Sequence, residues 1–150
     1  MAVINIPSEY GYVVLVALAF YIQQAIIFSI PVGIQRSKTG IKPPVLYPSD
    51  KLVSSLKLSD AALNAYMCAQ RVHQNGMEFL HAYLPLLLLS GLHNPTHAAA
   101  AGALVWVGRL ISAFGYWHKA EYRIYGAWFH IPELYTLYLV GSLGWSLVNA

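Results

Sequence analysis

Charge is what this chain has least of. Only 10% of its 150 residues are Asp, Glu, Lys or Arg, against roughly 25% in ordinary soluble domains. So few charges cannot cover the surface of a water-soluble fold of this size, so lipid is the expected solvent for much of the chain. Cysteine is almost missing as well. Cys68 stands alone, which excludes an intramolecular disulfide and a paired-cysteine metal site. The same figures exclude a disordered chain, a coiled coil, a collagen and a disulfide-stapled secreted module. A net charge of +3 and a pI near 9.0 are too small an excess, on so apolar a chain, to argue for nucleic acid as a partner. What is present in quantity is apolar: 57% hydrophobic residues and a mean hydropathy of +0.50 in 16.6 kDa. Those figures describe a single-domain, all-α integral membrane protein.

Crossing a membrane takes about 20 mostly apolar residues. No charged residue occurs from Tyr10 to Gln35, and a first helix is expected near Tyr10–Val32, punctuated by Pro31 and Gly33. The Lys-, Ser- and Pro-rich stretch that follows, with Pro43, Pro44 and Pro48, reads as a long loop. A second helix is expected over about 61–92, polar early and strongly apolar late. A turn around Asn94 and Pro95 then leads to a third helix at about 98–118, and a short charged link (KAEYR) to a fourth at about 125–148. The expected architecture is a four-helix membrane bundle. The N-terminus lacks a basic region and Glu9 precedes the first apolar run, so no cleavable signal peptide is expected.

Loop charges set the orientation. Arg36, Lys38, Lys42, Lys51 and Lys57 lie between the first two helices, and Lys119 and Arg123 between the last two. The positive-inside rule puts both loops in the cytoplasm and both termini on the far side, which agrees with an even number of spans. Nothing marks a mitochondrial presequence, so an endoplasmic-reticulum-type membrane is expected.

Ionisable residues inside a span cost several kcal/mol unless paired, and they mark function by default. In the second helix Arg71, Asn75 and Glu78 fall at i, i+4 and i+7 on one face, with Gln74 at its edge. In the third, Arg109, Ser112 and Tyr116 follow at i, i+3 and i+7, and Arg123 sits where the last loop meets the fourth helix. Given the orientation, all of these converge in the cytoplasmic half, with the basic end of the first helix beside them. Arg71 or Arg109 paired with Glu78 could merely lock the helices together. Three arginines for one glutamate leave positive charge over, however, and that surplus with Asn, Gln and Tyr donors suits a small, doubly anionic ligand.

The remaining candidates are weaker. The six histidines show no HExxH or HxxEH spacing, and Pro95 breaks the helix between His93 and His97, so no metal is expected. His81 and His130 read as hydrogen-bonded core or interface residues, and Cys68 as a bundle residue without a base partner. Glu133 is open between surface, subunit contact and site. Tyr10, Tyr12, Tyr47, Trp117, Tyr122, Tyr125 and Trp128 read as interfacial aromatic belts.

The string Arg71-Val72-His73-Gln74-Asn75 followed by Glu78, the pair Gly108-Arg109 leading to Gly115-Tyr116, and the N-terminal Ser8-Glu9-Tyr10-Gly11 together resemble the MAPEG superfamily. These are the membrane-associated proteins of eicosanoid and glutathione metabolism, and the likeness is strongest to the microsomal glutathione S-transferase 3 branch. The resemblance implies a homotrimer with sites between neighbouring subunits, open to the cytoplasm, in a microsomal membrane or alternatively the mitochondrial outer membrane. It implies glutathione as co-substrate, held by Arg71, Asn75 and Glu78, with Gln74 beside them and His73 where relatives place a polar ligand. Tyr116 matches a tyrosine of the glutathione pocket, Arg36 or Lys38 supplies a further basic contact, and Arg123 matches the arginine that faces the thiol. The second substrate is a lipophilic electrophile or a lipid hydroperoxide arriving from membrane lipid. Chemically, a guanidinium in a low-dielectric pocket favours the thiolate, which is the competent nucleophile.

Three positions depart from the family pattern. Ser112 and Phe79 stand where relatives have tyrosine, and His81 where a proline is common. The competing reading within the family is a non-catalytic lipid-binding scaffold of the lipoxygenase-activating kind, which departs at Arg71, Glu78 and Arg123. A channel subunit, the reading from outside it, needs a full polar path, and the lumenal halves here lack one.

Overall fold

The computed structural model describes residues 6–149, and among them every regular element is helical. The first rod, Tyr10–Thr39, is composed of α1 (Tyr10–Ile22), a π-helical stretch (Gln23–Phe28) and α2 (Ser29–Thr39). A short helix α3 (Asp50–Ser55) lies in the following segment. Then come α4 (Asp60–His93), α5 (Pro95–His118), a 3-10 stretch (Ala120–Phe129) and α6 (His130–Val148).

The first helix runs on past the expected end at Val32. Pro31 has no N–H to give to the carbonyl one turn back, a defect that usually breaks or kinks a helix. Here the wider π turn comes just before it, and Ser29 Oγ donates to the Gln24 carbonyl at 2.8 Å. The rod therefore continues to Gly40, whose φ of 73° closes it in the left-handed conformation that a glycine adopts freely. Arg36 and Lys38 in the last turn favour the negative end of the helix dipole.

The expected turn around Asn94 and Pro95 shrinks to Asn94 alone. Its side chain accepts from the His97 N–H at 3.1 Å, and Pro95 occupies the first helical position, where a missing N–H costs nothing. Ser59 caps α4 in the same way, accepting from the Ala62 N–H at 3.3 Å. The expected start of the last helix at Tyr125 is likewise displaced, because Ala120–Phe129 winds as 3-10 helix and α6 begins at His130.

One core joins the rods. Val13 and Phe20 of α1, Tyr83 and Leu87 of α4, Ala98 and Val105 of α5, and Leu139 of α6 are buried together. Small residues let the backbones approach, as they do between membrane helices. A Cβ on Gly91 would lie 2.8 Å from the Tyr10 ring, and one on Gly102 2.7 Å from Leu87. Two hydrogen bonds cross between the helices: Tyr83 with the Thr136 hydroxyl at 3.2 Å, and the Trp106 indole N–H with the Ala19 carbonyl at 3.1 Å.

Leu15, Leu18, Ile26, Ile30, Leu104, Ile111, Phe114, Leu134, Tyr138 and Trp145 all face outward. Water would penalise so broad an apolar surface, and lipid does not. Two helices, Tyr10–Thr39 and Pro95–His118, are long and apolar enough to cross a membrane.

Candidate functional site

At the end of the molecule where α4 begins and α5 finishes, a cleft of about 480 Å³ opens between these helices and the 3-10 stretch. Helical spacing brings Arg71 and Asn75 to it from α4, and Arg109, Ser112 and Tyr116 from α5. The 3-10 stretch adds Glu121 and Arg123, and His130 enters from the first residue of α6. Phe28, Ile124 and Phe129 make the wall partly apolar.

The 3-10 stretch carries Arg123, and glycines let it lie directly on α5. A Cβ on Gly108 would come 2.6 Å from Phe129 Cβ, while one on Gly126 would run into the Gly108 carbonyl and Ser112, and one on Gly115 into the Tyr122 carbonyl. Ser112 Oγ donates to the Arg123 carbonyl at 2.9 Å, fixing the backbone beneath that guanidinium. The guanidinium itself is exposed and stands 5.9 Å from the centre of the Tyr116 ring.

Arg109 is held differently. Only 8% exposed, it donates to the Asn75 backbone and side-chain oxygens, both at 3.2 Å, and stacks 4.0 Å over the Phe79 ring. The Phe79 departure is thus a seat for a buried cation. Among the described residues no acid pairs with Arg71, Arg109 or Arg123, since the ion pairs are Lys119–Glu121 at 2.7 Å and His130–Glu133 at 2.6 Å. The bundle-locking pairs of Glu78 with Arg71 or Arg109 are not formed.

Four of the expected site residues therefore share the cleft: Arg71, Asn75, Tyr116 and Arg123. Glu78 does not line it and is exposed on the α4 surface one turn beyond Asn75. Gln74 is bonded to the Tyr47 hydroxyl, its carbonyl accepting. The His73 side chain lies in a separate apolar groove of about 470 Å³ between the first rod and α4, shared with Tyr21, Met77 and His81. Arg36 is occupied in clamping the loop that follows it. Its guanidinium donates to the Ile41 carbonyl at 3.2 Å and the Val45 carbonyl at 2.9 Å, and sits 5.5 Å from the Tyr66 ring centre.

Glu121 and His130 line the cleft, although the sequence marks neither as a site residue. His130, expected as core or interface, has a side chain 63% exposed and lines the cleft, and Glu133 is its hydrogen-bonded partner. Their i, i+3 spacing at the head of an apolar helix was the available signal.

An all-helical chain with membrane-length apolar helices and a cation-lined cleft at one end belongs among the small helical membrane proteins. The sequence model of the MAPEG family matches residues 13–145, and the chain belongs to that family. An uncharacterized protein of the cyanobacterium Synechocystis sp. is 32% identical over 116 residues, covering 77% of this chain and 73% of the relative.

Proposed function

We propose that this protein is a membrane-bound glutathione transferase with glutathione peroxidase activity, similar to microsomal glutathione S-transferase 3. The cleft takes glutathione, and Arg123 stabilises its thiolate for attack on a lipophilic electrophile or a lipid hydroperoxide. The observation that carries this reading is the gathering of Arg71, Arg109 and Arg123 in one cleft, with no acid among the described residues paired to any of them. Unneutralised guanidinium groups beside an apolar wall suit a ligand with carboxylates and a thiol, with Asn75 and Tyr116 for its amides. A free thiol has a pKa near 8.5, and a fixed cation lowers it without giving up its own proton.

In this reading all four long helical rods cross the membrane as a bundle, and the chain assembles as a homotrimer in the endoplasmic reticulum with the cleft facing the cytoplasm. Glu78, His73, Gln74 and Arg36 lie away from the cleft of their own chain, so any contact they make with glutathione comes from a neighbouring copy.

The test is glutathione-dependent turnover of detergent-purified protein, with an aryl halide and an organic hydroperoxide assayed side by side. Turnover of either substrate supports the enzyme. Folded protein that turns over neither favours the lipid-binding scaffold, for which the apolar groove beside His73 offers a place.

A further inference from the structure

His130 and Glu133 form a pair that the glutathione reading leaves unused. Nδ1 of the imidazole stands 2.6 Å from Oε2 of the carboxylate, within one turn of α6. The pair does not cap the helix: Phe129 is the N-cap, and it makes no side-chain capping bond. The imidazole rests on the Phe129 ring, centroids 4.1 Å apart, and that ring also lies 5.4 Å from the Arg109 guanidinium. A carboxylate on Nδ1 fixes the proton there and leaves Nε2 as the nitrogen free to act in the cleft that His130 lines. To donate through Nε2 the ring carries a proton on each nitrogen, and the carboxylate accepts from Nδ1–H. The other charged or titratable groups of the cleft are Arg71 from α4, Arg109 and Tyr116 from α5, and Glu121 and Arg123 from the 3-10 stretch.

We propose that His130, oriented by Glu133, is the general acid for hydroperoxide reduction in this cleft. The proposal rests on the glutathione reading. The thiolate attacks the terminal oxygen of R–O–O–H, so a sulfur–oxygen bond forms as the O–O bond breaks. The electron pair leaves on the alkoxide, which takes the proton from Nε2 and departs as the alcohol. Sulfur is oxidised by two electrons to the sulfenic acid, and the peroxide is reduced by two. A second glutathione thiolate then attacks the sulfenic sulfur, giving the disulfide and expelling hydroxide, which becomes water. The two protons shed by the two thiols balance those taken up by alkoxide and hydroxide, and the exposed imidazole is reprotonated from solvent. Conjugation of an aryl halide differs at one step, because halide leaves without needing a proton.

That difference supplies the test. Parent, His130→Gln and Glu133→Gln proteins, full length and in detergent, are compared for glutathione binding by equilibrium dialysis and for kcat with cumene hydroperoxide and with chlorodinitrobenzene. A general acid contributes about a hundredfold or more. The hydroperoxide-to-halide ratio of kcat is therefore expected to fall about a hundredfold in His130→Gln, with glutathione affinity within about threefold of the parent. Glu133 is a positioning residue, and Glu133→Gln is expected to lower the same ratio about tenfold through kcat while KM for glutathione holds. An unchanged ratio in His130→Gln overturns the proton donor and leaves the glutathione reading standing. If that variant does not fold, an unchanged ratio in Glu133→Gln overturns it instead. A parent that binds glutathione and conjugates but reduces no hydroperoxide also overturns it, and a parent that does not bind glutathione overturns both.

Discussion

The hydroxyl of Ser112 donates to the backbone carbonyl of Arg123 at 2.9 Å, tying the middle of α5 to the segment that carries the exposed guanidinium. Its neighbour Gly126 packs so closely that a Cβ there would collide with Ser112 itself. A tyrosine at 112 carries its hydroxyl too far from the backbone to make this bond. The departure from the family pattern thus belongs to the geometry that places Arg123. Ser112→Ala is expected to cost about 1 kcal/mol in stability, the worth of one hydrogen bond. It should also lower kcat by about tenfold, from looser placement of the charge. Ser112→Thr should restore most of both, and Ser112→Tyr, which loses the same bond, should restore neither. Thermal denaturation beside turnover checks all three.

Glycine contacts make a second prediction with its own control. Gly126→Ala drives a methyl group into the Gly108 carbonyl, a backbone atom that cannot step aside. A cost of about 1–3 kcal/mol and a distorted cleft are expected. Gly144→Ala, also in a helix, meets nothing within 4 Å and gains helix propensity. Its melting temperature should equal or exceed that of the parent, while that of Gly126→Ala falls.

Much of the helical layout was legible because its signals are local. The charge-free run to Gln35 marked the first rod, and the spacing of Arg71 with Asn75 and of Arg109 with Tyr116 marked two faces that meet at one cleft. What the residues concealed depends on contacts between distant segments. Pro31 reads as a stop, yet the π turn before it lets the helix continue. The 3-10 stretch rests on Gly108, Gly115 and Gly126 meeting another backbone, which no local pattern announces. Arg36 looked like a free basic group at a helix end, and only the course of the loop shows it spent on the carbonyls of Ile41 and Val45. His130 looked like an ordinary structural histidine until the 3-10 stretch turned it toward the cleft.

The loop clamp gives a third prediction. Arg36→Ala removes charge-assisted bonds to two carbonyls, and each such bond contributes about 1.5–3 kcal/mol where it is sheltered from solvent. Part of that is recovered by water in this half-buried site. The segment from Ile41 to Tyr47 should become sensitive to limited proteolysis. Kinetic losses should be smaller than those from replacing Arg123. A large loss of glutathione affinity without added protease sensitivity would contradict the clamp and favour a direct ligand contact.

Ultraviolet difference absorbance reports the glutathione thiolate formed on binding, and the comparison that matters is between the parent and Arg123→Ala. Arg123 is exposed and makes no hydrogen bond through its side chain to the rest of the described chain, so the variant should fold as the parent does. A clear thiolate signal at neutral pH is expected in the parent, and loss of most of it in the variant with glutathione binding largely kept. The accompanying loss in kcat should be about a hundredfold or more, as expected when a charge that stabilises the reacting anion is removed. An equal thiolate signal in both proteins would contradict this role of Arg123.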